Sequence, residues 1–428
     1  MKKIKILRII ARLNVGGPAI HTVLLTVGLD KTKFDSLLVC GAVSSGEGDM
    51  EYYAAERQVK PVYIPQLRRE LNVFNDLIAF IKIFRLVKAE KPDIIHTHTA
   101  KAGTLGRLAG IVYNCQMRLL RFARNDGRSE GRLPRRRRSY DAVKLIHTFH
   151  GHIFDGYFNK FLASVFIIIE KFLAYFSSRI ITVSESVKKE LIDLGVCKSD
   201  KIEVIPLGFE LDKFLDINAD SRGCLPSRQA GNADIRRLNV GIVGRLVPIK
   251  NHYLFLDAVS KIVKENPELK AKFKIIGDGE LRQGLEEYSC KLNIANCVEF
   301  LGWQKDLVKV YSGLDIVCLT SLNEGTPVSL IEAMASGKAI VATDAGGVRD
   351  LLGDEKEIKD NFVVRERGVT AKSKDADGFA KALMFILQNE EVKRNLSKDA
   401  RDYVKDRFCK ERLISDMEEL YLKVLKIE

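Results

Sequence analysis

The sequence of 428 residues has one tryptophan, ten prolines and eight cysteines, and no two cysteines have the Cys-x-x-Cys spacing of zinc knuckles or thioredoxin-like motifs. We therefore expect reduced thiols in a cytosolic protein. The longest later apolar run, 161–169, is about half of the roughly 20 residues that span a bilayer, so we expect no transmembrane helix. Charged residues interrupt the first apolar run, which predicts a β-strand and not a secretory signal.

The formal charge of +13 is concentrated in one segment. Between Arg118 and Arg138, nine arginines accompany only two carboxylates. No aromatic residues alternate with the run Arg135–Arg138, as they do in many nucleic-acid-binding surfaces. We therefore expect no nucleic-acid partner. Nucleic-acid binding through this arginine run remains the alternative function.

Two segments repeat one pattern: an apolar run, a glycine turn and then a helical periodicity. The first begins at Ile4 and turns at Gly16-Gly17-Pro18, and the second begins at Leu238 and turns at Gly244. Strand and helix patterns alternate after each of them, which predicts an α/β protein with two Rossmann-like, doubly wound parallel sheets. We expect domains at 1–212 and 238–410, a linker at 213–237 and a last helix at 411–428 that packs back across a cleft.

Glycine and cationic residues follow the strand that begins the second domain. Gly244 allows close approach to the backbone, and Arg245 and Lys250 flank the turn, where they are suited to hold a diphosphate. Ligands of parallel sheets bind at the carboxyl ends of strands, which is where this turn lies.

A second group follows the strand 315–319. The turn Gly325-Thr326-Pro327 separates Glu324 from the next helix, whereas Glu332 falls inside that helix. The amides of Val328, Ser329 and Leu330 lie at the helix start and predict an anion site between the two carboxylates.

The sequence resembles the retaining glycosyltransferases of family 4, which have the two-domain GT-B fold. The resemblance covers nearly the whole chain in the right order. Its motifs are the Glu-x7-Glu pair at Glu324 and Glu332, Gly244-Arg245 with Lys250-Asn251, the loop 14–21, and the segments 93–98, 148–152, 182–186, 204–208 and 346–348.

The resemblance implies roles for the residues of the second domain. Glu324 would lie near the donor sugar, and Glu332 would accept hydrogen bonds from the ribose hydroxyls. Arg245 and Lys250 would bind the donor diphosphate, assisted by the backbone amides of 328–330.

The resemblance also implies roles in the first domain. Gly16 and Gly17 would approach the diphosphate and the acceptor, and His150 would lie at the sugar-binding end of the domain. On this basis His150, Glu324, Arg245 and Lys250 are the predicted catalytic residues.

Histidine pairs occur at His96/His98 and His150/His152. Such i, i+2 pairs share one face of a strand, so a metal cluster is conceivable, but no Asp or Glu accompanies them in sequence. We predict no metal and no cofactor, and treat His96, His98 and His152 as acceptor-side candidates. The one Asp-x-Asp motif, 375–377, precedes a helical pattern and is expected to cap it.

The predicted function is retaining, metal-independent transfer of a hexosyl or N-acetylhexosaminyl group from a nucleotide diphosphate sugar to a hydroxyl acceptor. We adopt UDP as the nucleotide, and polysaccharide, O-antigen or lipid-linked glycan assembly as the setting. A nucleotide-sugar 2-epimerase with the GT-B fold is the alternative enzyme.

A basic insert, 115–141, departs from the family pattern. We expect a solvated loop there, with contact between Arg118–Arg138 and an anionic membrane as the functional alternative. We expect the protein in the cytoplasm, and the membrane alternative would make it peripheral at the inner face of a membrane.

Overall fold

The structure is a computed structural model that describes residues 2–43, 48–68, 70–125, 142–151, 160–217 and 238–427. The chain forms two compact units, one of Met1–Leu207 with Leu413–Glu428 and the other of Gly208–Arg412. The insert residues 126–141, the linker residues 218–237 and His152 lie outside the described residues.

Strands and helices alternate along most of the chain. The strands are β1 (Ile4–Arg12), β2 (Phe34–Gly41), β3 (Val62–Tyr63), β4 (Ile94–His98), β5 (Lys144–Phe149), β6 (Arg179–Thr182), β7 (Ile202–Val204), β8 (Leu238–Val243), β9 (Ala271–Ile276), β10 (Val298–Gly302), β11 (Ile316–Leu319), β12 (Ala339–Thr343), β13 (Glu355–Lys359), β14 (Phe362–Arg365) and β15 (Gly368–Ala371). The helices are α1 (Gly17–Gly28), α2 (Glu51–Glu56), α3 (Val73–Glu90), α4 (Ala100–Asn125), α5 (Lys160–Phe176), α6 (Glu185–Asp193), α7 (Asp212–Leu215), α8 (His252–Glu265), α9 (Arg282–Lys291), α10 (Leu307–Ser312), α11 (Val328–Ala335), α12 (Val348–Leu352), α13 (Ala376–Gln388), α14 (Glu390–Arg407) and α15 (Lys410–Leu425).

The first unit contains a seven-stranded parallel sheet in the order β3-β2-β1-β4-β5-β6-β7. The strand order reverses between β1 and β4, which makes their carboxyl ends the switch point where ligands of such sheets bind. Side chains alternate between the two faces of β5. Leu145 belongs to the core beneath α3 and α4, whereas Ile146 belongs to the core that α15 completes on the opposite face.

The second unit contains eight strands in the order β10-β9-β8-β11-β12-β15-β14-β13. The switch point lies between β8 and β11, which pair in parallel. The edge differs from the predicted all-parallel sheet, because β13, β14 and β15 pair antiparallel in succession. Only two residues separate each of these strands from the next, and so short a loop permits an antiparallel hairpin but no parallel crossover.

The last helix, α15, belongs to the first unit from Leu413 onward. Leu413, Met417, Leu420 and Tyr421 are buried on the sheet face that carries Ile146. The apolar face of α15 therefore completes the core of the first unit.

Residues 115–125, which the sequence assigned to the insert, continue α4 as a regular helix. No proline or glycine occurs between Ile111 and Asp126, so nothing in the sequence ends the helix earlier. The described part of the predicted linker is also structured, since α7 lies within it and Phe214 is buried against the ring of Tyr311. The expectation of a loop is wrong for residues 115–125.

Two ion pairs join neighbouring helices of the first unit. Lys101 of α4 contacts Asp76 of α3 at 2.6 Å. One terminal nitrogen of Arg107 in α4 donates to both carboxylate oxygens of Glu170 in α5 at 2.8 Å, and both side chains are buried. Among the described residues, no helix is long and apolar enough to cross a bilayer.

Replacing Glu170 with alanine is expected to lower the free energy of unfolding of the first unit by about 3–5 kcal/mol, because it leaves the Arg107 guanidinium buried without its counter-ion. The double variant Arg107→Met/Glu170→Leu should recover most of this loss. Glu286→Gln, which breaks the exposed pair with Arg282, serves as the control and should cost less than about 1 kcal/mol. Urea unfolding measures the stability of all three variants. Equal losses in Glu170→Ala and Glu286→Gln would contradict a stabilising role of the buried Arg107–Glu170 pair.

Candidate active site

The loops that follow β8 and β11 are joined by hydrogen bonds at the switch point of the second unit. The Leu322 amide donates to the Ile249 carbonyl at 2.8 Å, and the Thr320 hydroxyl donates to the Lys250 carbonyl at 3.0 Å. These bonds fix the two loops side by side. The predicted cationic turn and the predicted carboxylate turn therefore form one site.

Lys250 and Glu324 form an ion pair within this site. The Lys250 Nζ lies 2.5 Å from Oε1 of Glu324, and the Ser321 hydroxyl donates to the same oxygen at 2.6 Å. The two charged side chains are 21% and 11% exposed, so both are largely desolvated and still reachable. The pair holds a primary ammonium at a defined position at the carboxyl end of the sheet.

Gly347 fixes the backbone around Glu324. Its amide donates to the Glu324 carbonyl at 2.9 Å, and a Cβ at this position would lie 1.6 Å from the Gly325 carbonyl oxygen. Only glycine allows so close an approach of the loop after β12 to the loop after β11.

The helix α11 begins directly after this loop, with Pro327 before its first residue. The amide of Leu330 donates to the Pro327 carbonyl at 3.1 Å, which leaves Val328 and Ser329 as the amides without a partner inside the helix. These two amides and the helix dipole favour an anion next to the Lys250–Glu324 pair.

Gly244 and Arg245 lie at the end of β8. A Cβ built at Gly244 meets no atom within 4 Å, so the packing of this unit does not require glycine there. Arg245 is partly exposed, and among the described residues no side chain forms a hydrogen bond or ion pair with its guanidinium. Space above the glycine and an available cation are what an approaching phosphate needs.

Glu332 lies one turn into α11 and is held by Tyr311. The Tyr311 hydroxyl donates to Oε2 of Glu332 at 3.0 Å, and the same hydroxyl is 3.0 Å from the Ser329 carbonyl. Burial raises the pKa of Glu332 to about 7, although the hydrogen bond from Tyr311 opposes this shift. Near neutral pH this carboxyl therefore changes between its neutral and ionised forms.

In the first unit, three histidines meet at the switch point between β1 and β4. His98 ends β4, His150 follows β5 and His21 lies in α1; one ring nitrogen of each lies within 4.8 Å of the others. Nδ1 of His98 and Nε2 of His150 share a hydrogen bond at 3.0 Å. His98 and His150 were predicted site residues, whereas His21 was quoted only as part of the loop motif.

His96 lies beneath this cluster in a buried network. Arg8 donates to its Nδ1 at 3.0 Å, so Nδ1 carries the lone pair and Nε2 donates to the Thr148 hydroxyl at 2.8 Å. The Tyr421 hydroxyl of α15 lies 2.7 Å from the same Nδ1. The sequence predicted neither Arg8 nor Tyr421, because neither belongs to a motif and only the folded sheet brings them together.

Burial favours the neutral form of His96, His98 and His150. Burial lowers the pKa of His96 and His98 well below the usual value, and it lowers that of His150 to about 3. A neutral imidazole has one hydrogen-bond donor and one acceptor, so it can bind a hydroxyl group, which also donates and accepts. His147 of β5 lies on the opposite sheet face, where it shares a hydrogen bond with Thr97 at 2.9 Å.

The ring nitrogens of His21, His98 and His150 lie close enough together to hold a metal ion, and the absence of a metal stays a prediction. The bond between His98 and His150 uses a nitrogen of each ring, and the buried Arg8 places a positive charge beside the neighbouring His96. Within the described ranges, no carboxylate joins the cluster.

Asp375 caps α13 by accepting a hydrogen bond from the Gly378 amide at 2.9 Å, as predicted.

Two parallel-sheet units with loops gathered at their switch points define an enzyme of the GT-B fold. Residues 16–208 match the glycosyl transferase 4-like domain, and residues 227–403 match the glycosyl transferases group 1. The chain belongs to this family, glycosyltransferase family 4, and is a glycosyltransferase.

Curated relatives and solved structures resemble most of the chain. The UDP-Gal:alpha-D-GlcNAc-diphosphoundecaprenol alpha-1,3-galactosyltransferase of Escherichia coli is 27% identical over 400 residues, 93% of this chain and 91% of that protein. An N,N'-diacetylbacillosaminyl-diphospho-undecaprenol alpha-1,3-N-acetylgalactosaminyltransferase of Campylobacter jejuni is 27% identical over 78% of each chain. HepE of Anabaena, solved in complex with UDP and glucose, superposes with a TM-score of 0.71 at 18% identity, over 98% of this chain and 100% of that one.

Replacing Glu332 with glutamine is expected to change how stability depends on pH. Because the pKa of Glu332 is raised from 4.5 to about 7, the folded protein keeps a proton that the unfolded chain loses, so this group destabilises the fold as pH rises from 5 to above 7. The variant should lose this slope, worth about 1–3 kcal/mol. Thermal unfolding from pH 5 to pH 8 measures it, with the exposed Glu391→Gln as control; identical slopes in all three proteins would refute the shift.

Proposed function

We propose that the chain is a retaining, metal-independent glycosyltransferase that moves a sugar from a nucleotide diphosphate to a hydroxyl acceptor. The carrying observation is the Lys250–Glu324 ion pair, held at the switch point beside the start of α11. In the reaction, the bond between the anomeric carbon and the diphosphate oxygen breaks. The acceptor hydroxyl oxygen then bonds that carbon on the face that the diphosphate left, and its proton passes to the departing diphosphate oxygen.

The diphosphate leaving group gains negative charge as that bond breaks. The Lys250 ammonium, the Arg245 guanidinium and the amides of Val328 and Ser329 are the groups in our proposal that stabilise it. Each is fixed or available before the reaction: the ammonium by Glu324, the amides by the helix. Preorganised groups of this kind lower the barrier without reorganising during the reaction.

We propose a uridine nucleotide in the donor. Support comes from the relative of Escherichia coli, whose name specifies UDP-Gal, and from HepE, which was solved with UDP. Glu332 would accept hydrogen bonds from the ribose hydroxyls, with Tyr311 holding its carboxylate in place. Glu324 would lie near the transferred sugar, which is a hexosyl or N-acetylhexosaminyl group in this proposal.

The acceptor in our proposal is a lipid-linked glycan, as the names of both diphosphoundecaprenol-specific relatives indicate for those enzymes. His150, with His98 and His96 behind it, would contact sugar hydroxyls as a neutral donor and acceptor. Gly16 and Gly17 precede His21 of this cluster in sequence, and the φ of +154° at Gly16 favours glycine. In our proposal these two glycines bind the donor.

In our proposal, cationic side chains stabilise the leaving diphosphate, so the reaction needs no metal ion. Lys250 and Arg245 take the part that a divalent ion has in Asp-x-Asp enzymes, and Asp375, the first residue of the Asp-x-Asp sequence, caps a helix. Turnover should therefore continue in the presence of EDTA at the rate seen with added magnesium or manganese.

Replacing Lys250 with alanine is expected to lower kcat/KM for donor consumption by about 100-fold or more, because the leaving group loses its fixed cation. Glu324→Ala should cause a loss of similar order, since it frees the ammonium. Lys264→Ala, an exposed lysine of α8, is the matched control. Wild-type rates in the Lys250 and Glu324 variants would remove both residues from the mechanism.

Before the kinetic assay, a thermal-shift panel identifies the donor base. UDP and UDP-sugars should raise the melting temperature more than the GDP and ADP series, because a ligand that binds only the folded state stabilises it by mass action.

Gly244→Ala separates the ligand-binding role of this glycine from its packing role. Because a Cβ there has no neighbour within 4 Å, stability should change by less than about 1 kcal/mol. Affinity for the nucleotide should nevertheless fall at least about tenfold, since the added methyl group occupies the space where phosphate approaches. Isothermal titration and thermal unfolding together test this; unchanged affinity would place the diphosphate elsewhere.

A further inference from the structure

Three adjacent helices of the first unit, α3, α4 and α5, expose apolar side chains on one side of the sheet. Most of the large apolar residues that are exposed within the described ranges lie on these helices. The helices are joined by the Asp76–Lys101 and Arg107–Glu170 ion pairs described above. We call their exposed residues the α3–α5 surface.

The apolar residues of α5 form a stripe along its outer side. Val165, Ile168, Phe172 and Tyr175 recur at intervals of three and four residues, and their exposed fractions are 37%, 66%, 51% and 77%. The inner side of α5 is equally apolar, with Leu173 and Ala174 fully buried. A helix that is apolar on both sides is adapted to a second apolar environment besides the protein core.

The exposed side of α3 is divided along its length. Phe74, Leu77 and Ile81 lie on one stripe in the first half of the helix, and the first of them is 80% exposed. Arg85 and Lys88 continue the same stripe in the second half and are also exposed. Apolar side chains bordered by cations are typical of helices that lie in a membrane interface.

Positive charges predominate on the α3–α5 surface. Among the described side chains of the three helices, the exposed charged residues are cationic: Lys82, Arg85, Lys88, Arg118 and Lys171. Each acidic residue of these helices is paired with a cation: Asp76 and Glu170 with the neighbouring helix, and Glu90, whose side chain is 40% exposed, with Lys5. The surface therefore combines exposed apolar side chains with an excess of positive charge.

We propose that the α3–α5 surface docks the protein on an anionic lipid bilayer. The apolar stripes of α3 and α5 enter the interface between headgroups and acyl chains, and the cations contact the lipid phosphates. A second copy of the chain is a poorer occupant, because a twofold contact would place the cations of one surface against those of the other. This proposal concerns a surface outside the donor site and does not depend on the donor or acceptor.

Vesicle flotation with the full-length chain tests the proposal at low ionic strength. The wild type should bind vesicles of mixed phosphatidylglycerol and phosphatidylcholine, and should bind pure phosphatidylcholine vesicles at least about tenfold more weakly. Phe74→Ser/Phe172→Ser removes apolar contacts and should weaken binding to the mixed vesicles about tenfold. Arg85→Glu/Lys88→Glu should also weaken binding to the mixed vesicles about tenfold. Binding of this variant should depend less on salt concentration than binding of the wild type.

Matched controls change equally exposed residues of the second unit. Ile358→Ser removes an isoleucine that is 73% exposed, and Lys398→Glu/Lys405→Glu reverses two exposed lysines of α14. Both should bind vesicles like the wild type, and all variants should retain the wild-type melting temperature. Absence of wild-type binding, or equal binding by every variant, overturns the proposal. Concentration-dependent dimers that disappear in Phe74→Ser/Phe172→Ser would also overturn it, by assigning the surface to contact between copies.

Discussion

The proposed chemistry of the second unit depends on one ion pair between loops that are far apart in sequence. Lys250 follows β8 and Glu324 follows β11, and these strands are neighbours because the sheet reverses its order there. The pair keeps a cation extended at the strand ends, where a free lysine would move among many rotamers. The same loop leads directly into α11, so the cation and the first helical amides are fixed relative to one another.

The first unit uses the same position in its sheet for a different chemistry. Its switch point gathers neutral histidines, because burial makes a charged imidazole costly and Arg8 adds a positive charge nearby. Tyr421 ties the network to the last helix, which is part of this unit although it ends the chain. In the proposed mechanism, the anion site of the second unit binds the diphosphate, and the neutral histidines of the first unit contact sugar hydroxyls.

Sequence patterns predicted the parts of this architecture that depend on local order. Glu324, Lys250 and Gly244 follow apolar strands, so their convergence at one sheet edge could be inferred from parallel pairing alone. The cap at Asp375 was predictable because capping uses residues within one turn. The family resemblance supplied roles that spacing alone does not assign.

The missed features depend on tertiary register or on the absence of a local signal. Tyr311 and Glu332 are 21 residues apart and meet only when α10 and α11 pack on the sheet. His21 of α1 lies close to His98 of β4 only in the folded unit, which no periodicity of the sequence reveals. The helix α4 continues to Asn125 because its basic residues are as compatible with a helix as with a loop.

The central claim is that the Lys250–Glu324 site binds the diphosphate of the donor. A crystal structure of the protein with UDP tests it most directly. The account predicts the diphosphate within hydrogen-bonding distance of Lys250 Nζ and of the amides of Val328 and Ser329, next to Gly244. A nucleotide bound at any other part of the chain would contradict it.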